Sequence, residues 1–178
     1  MALLTGAVVI ISLVAIVNML MLGAVLRRMR QYEQRGATPP RTVEIAVGSA
    51  APEFDVFATD GTSFRTDDLR SGRTLLGFFS DTCEPCVAEA PELVERAGVL
   101  ATDGITVVPV LAVEPGGGAQ RLLPVLGRLG RVLTEPLHGP VASAFQVRAT
   151  PSYVLVAGDG RIAATGGSLD DCLRASVR

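Results

Sequence analysis

Residues 78–93, FFSDTCEPCVAEAPEL, place two cysteines three positions apart where an apolar run gives way to helical spacing. The run that precedes them, 74–80, is short and continuously apolar, which predicts a central strand buried on both faces. From Glu84 onward apolar residues recur at helical spacing and predict an amphipathic helix that ends at Asp103-Gly104. The cysteines therefore lie at a predicted strand-to-helix junction. They could act there as metal ligands, as a structural disulfide or as a redox pair.

Cys83 and Cys86 are well placed for redox chemistry at the start of a helix. The first N–H groups of the helix and the positive end of its dipole would point at the Cys83 sulfur and stabilise a thiolate. Cys86, one turn further along, would be the more shielded partner. A purely structural disulfide is disfavoured because a loop closed between residues three apart gives little entropic stabilisation.

Zinc is the main alternative, because Cys172 and His138 would complete a Cys3His set with the first two cysteines. Structural zinc usually takes its ligands as two close pairs, whereas His138 and Cys172 stand far apart and alone. Cys172 shares a predicted helix face with Leu169 and is expected to pack into the core, and His138 is expected in a loop. We predict no metal site, and the roles of Cys172 and His138 stay open.

The elements around the junction predict strands that alternate with helices. Residues 53–66 alternate apolar and polar side chains around an Asp-Gly turn and predict a β-hairpin. Residues 105–113 predict another strand. A weaker helix at 119–130 is expected to break at Pro124.

The carboxyl-terminal part predicts a closing hairpin and a last helix. Residues 131–135 predict a brief extended segment, and 139–147 a helical turn or two. TPSYVLVAGDGRIAAT, residues 150–165, predicts two strands joined by a tight Gly-Asp-Gly turn. Ser168, with an acid three residues on, predicts a helix N-cap. Together these elements predict an α/β protein whose mixed sheet has helices on both faces.

Thr150 and Pro151 directly precede the first strand of that closing hairpin. A Thr-Pro before a strand is by itself ordinary and usually trans. A proline at the first strand position, in a chain that also has C-x-x-C before a helix, suggests a cis bond that faces the cysteines.

In this order the features resemble the thioredoxin-like superfamily and, more closely, the membrane-anchored TlpA and ResA-like thiol-disulfide oxidoreductases, including the branch linked to methylamine utilisation. Over residues 46–178, GSAAPEFDVFATDG resembles their opening hairpin, CEPCVAEAP their active site, TPSYVLV their cis-proline loop and GDGRIAATGG their closing hairpin. The resemblance implies a thioredoxin-like fold with an added N-terminal β-hairpin. It also implies dithiol-disulfide exchange without a cofactor other than the redox-active Cys83–Cys86 disulfide.

One departure concerns the residue before the first cysteine. The family usually has Trp there, whereas this chain has Thr82 and no Trp at all. The methylamine-linked branch also tolerates Thr at this position. This departure bears on which substrate the resemblance implies more than on the chemistry that it implies.

By the resemblance and by the helix-dipole argument, Cys83 attacks a disulfide of a partner protein as a thiolate, and Cys86 resolves the mixed disulfide. Pro85 would hold the turn, and the Thr150-Pro151 segment would offer backbone groups to a bound peptide strand. The expected substrate-binding residues are Thr82, Glu84, Pro85, Thr150 and Pro151. The expected partners are a protein with a disulfide or dithiol and an upstream membrane or soluble electron donor.

Two acidic residues are expected to affect the ionisation and the reduction potential of the cysteine pair. Glu84 places negative charge beside Cys83 and should oppose thiolate formation, which predicts a reductant or isomerase-like poise. Glu89 lies three residues beyond Cys86, shares its helix face and could relay its proton; the matching position in ResA-like sequences is also Glu. The alternative is that Glu89 is a solvated carboxylate like Glu92 and Glu95.

A peroxiredoxin-like peroxidase is a rival with the same AP-x-F opening. It would need a P-x-x-x-[ST]-x-x-C arrangement around its reactive cysteine. Counting back from Cys83 gives Ser80 but Leu76, and from Cys86 gives Cys83 and Phe79. Neither alignment supplies the proline, so a peroxidase is disfavoured.

A non-enzymatic rival is a copper-handling thioredoxin-like module, in which two thiolates and a histidine hold the metal. The chain has the C-x-x-C pair and one histidine, His138. His138 has no second ligand motif nearby, so this hypothesis is the weaker one.

Residues 2–26 contain no charged side chain and predict a membrane-spanning segment. As a helix rising about 1.5 Å per residue, they would exceed the roughly 30 Å hydrocarbon core of a bilayer. A cleaved signal peptide is disfavoured because no basic residue precedes Arg27 and no A-x-A pattern follows. We expect residues 1–30 to form a transmembrane anchor with a basic flank, 31–45 a linker and 46–178 the thioredoxin-like domain.

Charge bears on partners and on topology. Residues 36–178 hold 12 Arg against 17 Asp or Glu, a balance of −5 that argues against nucleic-acid binding. The segment 27–35 carries net charge +3, which suits anionic lipid headgroups. Because positive charge lies only after the apolar run, the positive-inside rule favours a cytoplasmic domain, whereas the resemblance implies one that faces outward. We expect a single-pass protein of the cell membrane with an extracytoplasmic redox domain.

Overall fold

The computed structural model describes residues 17–19, 21, 42–113 and 121–177. The chain divides into two units, Met1–Pro40 and Arg41–Arg178. In the first unit the four described residues are α-helical and exposed, and the rest of the expected anchor lies outside the described residues. Within the described stretches no helix is both long and apolar enough to cross a bilayer.

The described part of the second unit alternates strands and helices. The strands are β1 Asp55–Phe57, β2 Ser63–Arg65, β3 Arg73–Ser80, β4 Ile105–Ala112, β5 Leu133–Glu135, β6 Ser152–Val156 and β7 Ile162–Gly166. The α-helices are α1 Glu84–Thr102, α2 Leu123–Leu126, α3 Pro140–Ala144 and α4 Leu169–Ala175, with 3-10 helices at Thr66–Arg70 and Gly127–Leu129.

Five strands form one mixed sheet in the order β5-β4-β3-β6-β7. The central strand β3 runs parallel to β4 and antiparallel to β6, and β6 and β7 form the closing hairpin. Strands β1 and β2 form the separate opening hairpin, in which Val56 pairs with Phe64. The predicted mixed sheet, both hairpins and the central strand are confirmed.

Each face of the sheet carries its own core. Leu75 and Phe79 of β3 pack with α1, α2 and α4 on one face. Leu76 and Phe78 pack with α3, the first 3-10 helix and the opening hairpin on the other. Because β3 is covered on both sides, its side chains from Thr74 to Ser80 are all buried, and its carboxyl end is rigidly placed.

The amino-terminal edge of the second unit is paired into the domain. Val43 is buried and forms an isolated β-bridge with Val147. Ala50 forms another with Arg161. Val43 therefore packs against the folded domain, although it lies within residues 31–45, the segment expected to be a linker.

The helix around Pro124 differs from the prediction. Helix α2 begins at Leu123, and Pro124 lies in its first turn. A proline is tolerated there because the N–H it lacks would have no partner within the helix. Pro124 therefore starts this helix instead of breaking it.

A stability prediction arises where β7 meets α4. A Cβ added at Gly166 would lie 2.5 Å from the backbone N and 2.9 Å from the Cα of Cys172. Gly166→Ala should therefore lower the free energy of unfolding by about 3 kcal/mol, since the strand and helix must move apart. Urea denaturation measures this change.

The matched control is Gly98→Ala on α1, where an added Cβ meets nothing within 4 Å. It should raise the free energy of unfolding by up to about 1 kcal/mol, because Ala favours the helix more than Gly. Equal effects of the two variants would contradict the close packing of β7 on α4.

Candidate active site

Cys83 and Cys86 form a disulfide at the end of β3 and the start of α1, with 5.3 Å between their Cα atoms. Cys83 is the N-cap residue of α1 in extended conformation, and its sulfur accepts a hydrogen bond from the Cys86 N–H at 3.3 Å. Cys83 is half-buried, whereas Cys86 is completely buried. The predicted junction and the greater shielding of Cys86 are confirmed.

The backbone at the end of β3 sets the position of Cys83. Its N–H donates to the Ser80 carbonyl at 3.1 Å, which closes a turn immediately after the strand. The Thr82 side chain is exposed, and its hydroxyl lies 3.0 Å from that of Ser80. Pro85 lies in the first turn of α1, where it costs no hydrogen bond.

The Thr150-Pro151 peptide bond is cis and faces the disulfide. The Thr150 carbonyl oxygen lies 3.3 Å from the Cys83 sulfur, across 67 positions of sequence. Thr150 and Pro151 are both partly exposed beside it. The structure thus brings the cysteines and the Thr-Pro segment together, as the sequence predicted.

Glu84 makes a contact that the sequence did not predict. Its exposed carboxylate lies 3.4 Å from the guanidinium of Arg121. Beside it, Asp81 is buried and accepts a hydrogen bond from the Leu122 N–H at 3.1 Å. Residues on both sides of Cys83 are therefore joined to the segment that leads into α2.

Glu89 is set apart from the other acids of α1. It is half-buried and accepts a hydrogen bond from the Leu169 N–H at 3.1 Å, whereas Glu92 and Glu95 are exposed. Burial raises the pKa of Glu89 above that of an ordinary carboxyl, against the opposing effect of the Leu169 hydrogen bond. Glu89 lies three residues beyond Cys86 on α1, so the two residues share one face of the helix.

A cavity of about 300 Å³ opens beside Cys83 and Thr150. Glu135 forms part of its wall, is buried, and accepts hydrogen bonds from the N–H groups of Val141 and Ala142 at 2.8 and 2.9 Å. Burial raises the pKa of Glu135 despite these two bonds. Glu135 therefore fixes the start of α3 at the edge of the cavity, a role without any local sequence signal.

His138 and Cys172 lie in different environments. His138 is exposed in a loop at φ 57° and lines the same cavity as Cys83. Cys172 is a residue of α4 whose side chain is fully buried in the core, and burial raises its pKa to about 12. In the described parts of the chain, no three His, Cys, Asp or Glu side chains are grouped as a metal site.

The fold and the cysteine pair define a thioredoxin-like dithiol-disulfide protein. Residues 47–165 match the model of the AhpC/TSA family, and the chain belongs to that family. Membership of this family does not by itself specify a reaction. The reaction is indicated by individual relatives.

The relatives are named as enzymes of thiol-disulfide exchange. The thiol-disulfide oxidoreductase ResA of Geobacillus thermodenitrificans (strain NG80-2) is 27% identical over 122 residues, which cover 66% of this chain and 67% of the relative. The thiol:disulfide interchange protein DsbE homolog of Paracoccus denitrificans (strain Pd 1222) is 30% identical over 118 residues, covering 65% and 63%.

Solved structures support the fold. A putative thiol:disulfide interchange protein DsbE from Chlorobium tepidum superposes with a TM-score of 0.63 at 21% identity, covering 75% of this chain and 96% of that one. With the C-x-x-C pair in the structure and relatives of this kind, the chain is a thiol-disulfide oxidoreductase of the ResA/DsbE type.

Proposed function

We propose that this enzyme reduces or exchanges disulfides in partner proteins, with Cys83 as the nucleophile and Cys86 as the resolving thiol. The difference in exposure between the two sulfurs carries this assignment. Cys83 is half-buried at the helix start beside Thr150, whereas Cys86 is fully buried and bonded to Cys83. An incoming disulfide therefore meets Cys83 first.

The reduction proceeds in two exchange steps. The Cys83 thiolate attacks one sulfur of the substrate disulfide, and the other substrate sulfur leaves as a thiolate. Cys86 then gives up its proton and attacks the Cys83 sulfur, which releases the second substrate thiolate. Two electrons pass to the substrate, and the Cys83–Cys86 disulfide of the described structure forms.

The substrate strand is proposed to lie along the Thr150-Pro151 segment. The Thr150 carbonyl is 3.3 Å from the Cys83 sulfur, so a strand paired there would hold its cysteine at the reacting atom. Thr82 and Pro85, which flank Cys83 in the sequence, are exposed and would contact the same strand. Catalysed reduction of insulin disulfides by the reduced enzyme, with dithiothreitol as the donor, tests this proposal.

Glu84 is proposed to give the pair a reducing poise. Its carboxylate follows Cys83 directly and disfavours the thiolate, so the reduced form gains less stability than in strong oxidants. Arg121 offsets only part of this effect, because exposed ion pairs are weak. We propose that a separate electron donor, membrane-bound or soluble, returns the pair to the dithiol form.

Glu89 is proposed to accept the proton of Cys86. In Glu89→Gln, exchange should slow by about 10²-fold at neutral pH, because the base is lost. The pKa of Glu89 is raised, so the wild-type rate should increase with pH through a midpoint above the ordinary carboxyl range, and the variant should lose that increase. Stopped-flow oxidation of the reduced enzyme from pH 4 to 9 measures both effects.

Glu95→Gln is the matched control for this prediction, since Glu95 is exposed on the same helix. Its pH profile should coincide with that of the wild type. An unchanged profile in Glu89→Gln would remove Glu89 from the mechanism and leave the cysteine assignment standing.

We further propose that residues 1–30 anchor the domain 46–178 in the cell membrane through the apolar segment 2–26, with 31–45 as linker. The uncharged apolar run and the basic segment after it support the proposal. The domain is proposed to face outward, where oxidised protein substrates are abundant.

Labelling of Cys83 and Cys86 in intact cells tests this topology. After treatment with a permeant reductant, a membrane-impermeant maleimide should label both cysteines as fully as a permeant one. Labelling by the permeant reagent alone would contradict an outward-facing domain.

A further inference from the structure

Tyr153 is the largest fully buried side chain in the described residues, and its hydroxyl has no hydrogen-bond partner there. Buried hydroxyls almost always have a partner, because burial strips them of water. Phenylalanine would fill the same space at this position, so the buried hydroxyl of Tyr153 calls for a functional explanation.

The register of the sheet places this ring beside the active-site helix. Tyr153 lies two residues after the cis-proline and pairs with Gly77 of β3. A Cβ at Gly77 would lie 2.9 Å from the Phe79 ring and 3.3 Å from the Tyr153 ring. The absence of a side chain at Gly77 therefore makes the space that Tyr153 occupies, edge-on to Phe79 with 5.8 Å between ring centroids.

Tyr153 packs in the same buried cluster as Cys86 and Ala90 of α1 and Leu169 of α4, and the Leu169 N–H donates a hydrogen bond to the Glu89 carboxylate. After burial itself, the negative charge of Glu89 contributes most to raising the pKa of Tyr153, and the Tyr153 hydroxyl in turn favours the charged form of Glu89. In this disulfide form the Tyr153 hydroxyl makes no hydrogen bond to Glu89. The Leu169 N–H donates a hydrogen bond to Oε1 of Glu89, and no described residue donates one to Oε2.

Few other charged or titratable groups act on Tyr153 and Glu89. Glu92 and Asp170 also act on Glu89, and both are paired with Arg96, at 3.1 and 2.6 Å. Cys172 acts weakly on Tyr153 from the side of α4. Arg96 compensates the two neighbouring acids, and the Tyr153 hydroxyl is a buried proton donor without a partner in the described residues.

We propose that Tyr153 is a positioning residue for the exchange reaction: its hydroxyl donates a hydrogen bond to the Glu89 carboxylate and holds it ready to take the proton of Cys86. The proton passes from the Cys86 thiol to Glu89, which becomes neutral as Cys86 becomes a thiolate. Tyr153 keeps its own proton throughout. This inference rests on the proposed role of Glu89.

Tyr153→Phe tests the inference because it removes only the hydroxyl. Without that donor the charged form of Glu89 is less stable, so the midpoint of the pH profile for oxidation of the reduced enzyme should rise by about one pH unit. Below the midpoint the rate should fall about tenfold. In the Tyr153→Phe, Glu89→Gln double variant, the profile should match that of Glu89→Gln alone.

Two further measurements separate this role from a structural one. The disulfide form of Tyr153→Phe should resist urea as well as the wild type, since the hydroxyl has no partner there. In the reduced enzyme, a 13C-NMR titration should give a higher pKa for the Glu89 carboxyl in Tyr153→Phe than in the wild type.

Each other outcome has a defined meaning. An unchanged profile in Tyr153→Phe, with a changed profile in Glu89→Gln, would overturn the role of Tyr153 and leave the proposed function intact. A shift that persists in the double variant would show that Tyr153 acts elsewhere, which also overturns the inference. An unchanged profile in Glu89→Gln would remove the role of Glu89 and that of Tyr153 with it.

Discussion

Cys83→Ser should abolish disulfide exchange and leave the fold intact, with the rate of insulin reduction falling by at least about 10³-fold. Cys86 does not replace the lost nucleophile, because its sulfur is fully buried beneath the first turn of α1. The serine hydroxyl can still act as N-cap, so the far-UV circular dichroism should not change.

Cys172→Ala is the control for Cys83→Ser. Cys172 packs in the core away from solvent, and its raised pKa keeps it a thiol. Its replacement should lower stability and preserve the exchange rate. Loss of activity in Cys172→Ala together with activity in Cys83→Ser would contradict the assignment of the nucleophile.

Cys86→Ser should accumulate a mixed disulfide between Cys83 and the substrate. The first attack needs only Cys83, whereas release of the substrate needs the second thiol, so turnover should fall by at least about 10²-fold as the adduct builds up. Non-reducing gels should show a covalent complex that dithiothreitol dissolves, and mass spectrometry should locate the link at Cys83.

The double variant Cys83→Ser, Cys86→Ser controls for attachment through the third cysteine. It should form no complex, since only buried Cys172 remains. A complex of equal yield in the double variant, or a link found at Cys172, would show that the trapping does not report on the proposed mechanism.

Much of the fold was predictable because its signals are local. The apolar run 74–80, the helical spacing after Glu84 and the turn residues of the two hairpins each act within a few positions, and the structure has these elements. The cis bond at Thr150-Pro151 was predictable only in combination with the cysteine pair. Pro124 was misread because proline both starts and breaks helices, and the sequence does not mark the start of α2.

The rest of the site depends on contacts between distant segments. Glu84 meets Arg121 across 37 positions, and Glu89 meets the Leu169 N–H across 80. The pairing of Tyr153 with Gly77 follows from the order of the strands in the sheet, which alternation does not reveal. These residues are the ones proposed to set the electrostatics of the cysteine pair, so the sequence predicts the cysteines and the Thr-Pro segment better than it predicts their environment.

The measurement that tests the central claim most directly is a redox titration of the purified domain. The enzyme is equilibrated with dithiol-disulfide buffers, alkylated, and weighed by mass spectrometry. We predict one two-electron transition of Cys83 and Cys86, with Cys172 unmodified in the native protein and a midpoint more negative than about −180 mV. A pair that does not titrate would contradict a redox-active disulfide, and a midpoint near that of DsbA, about −120 mV, would contradict the reducing poise assigned to Glu84.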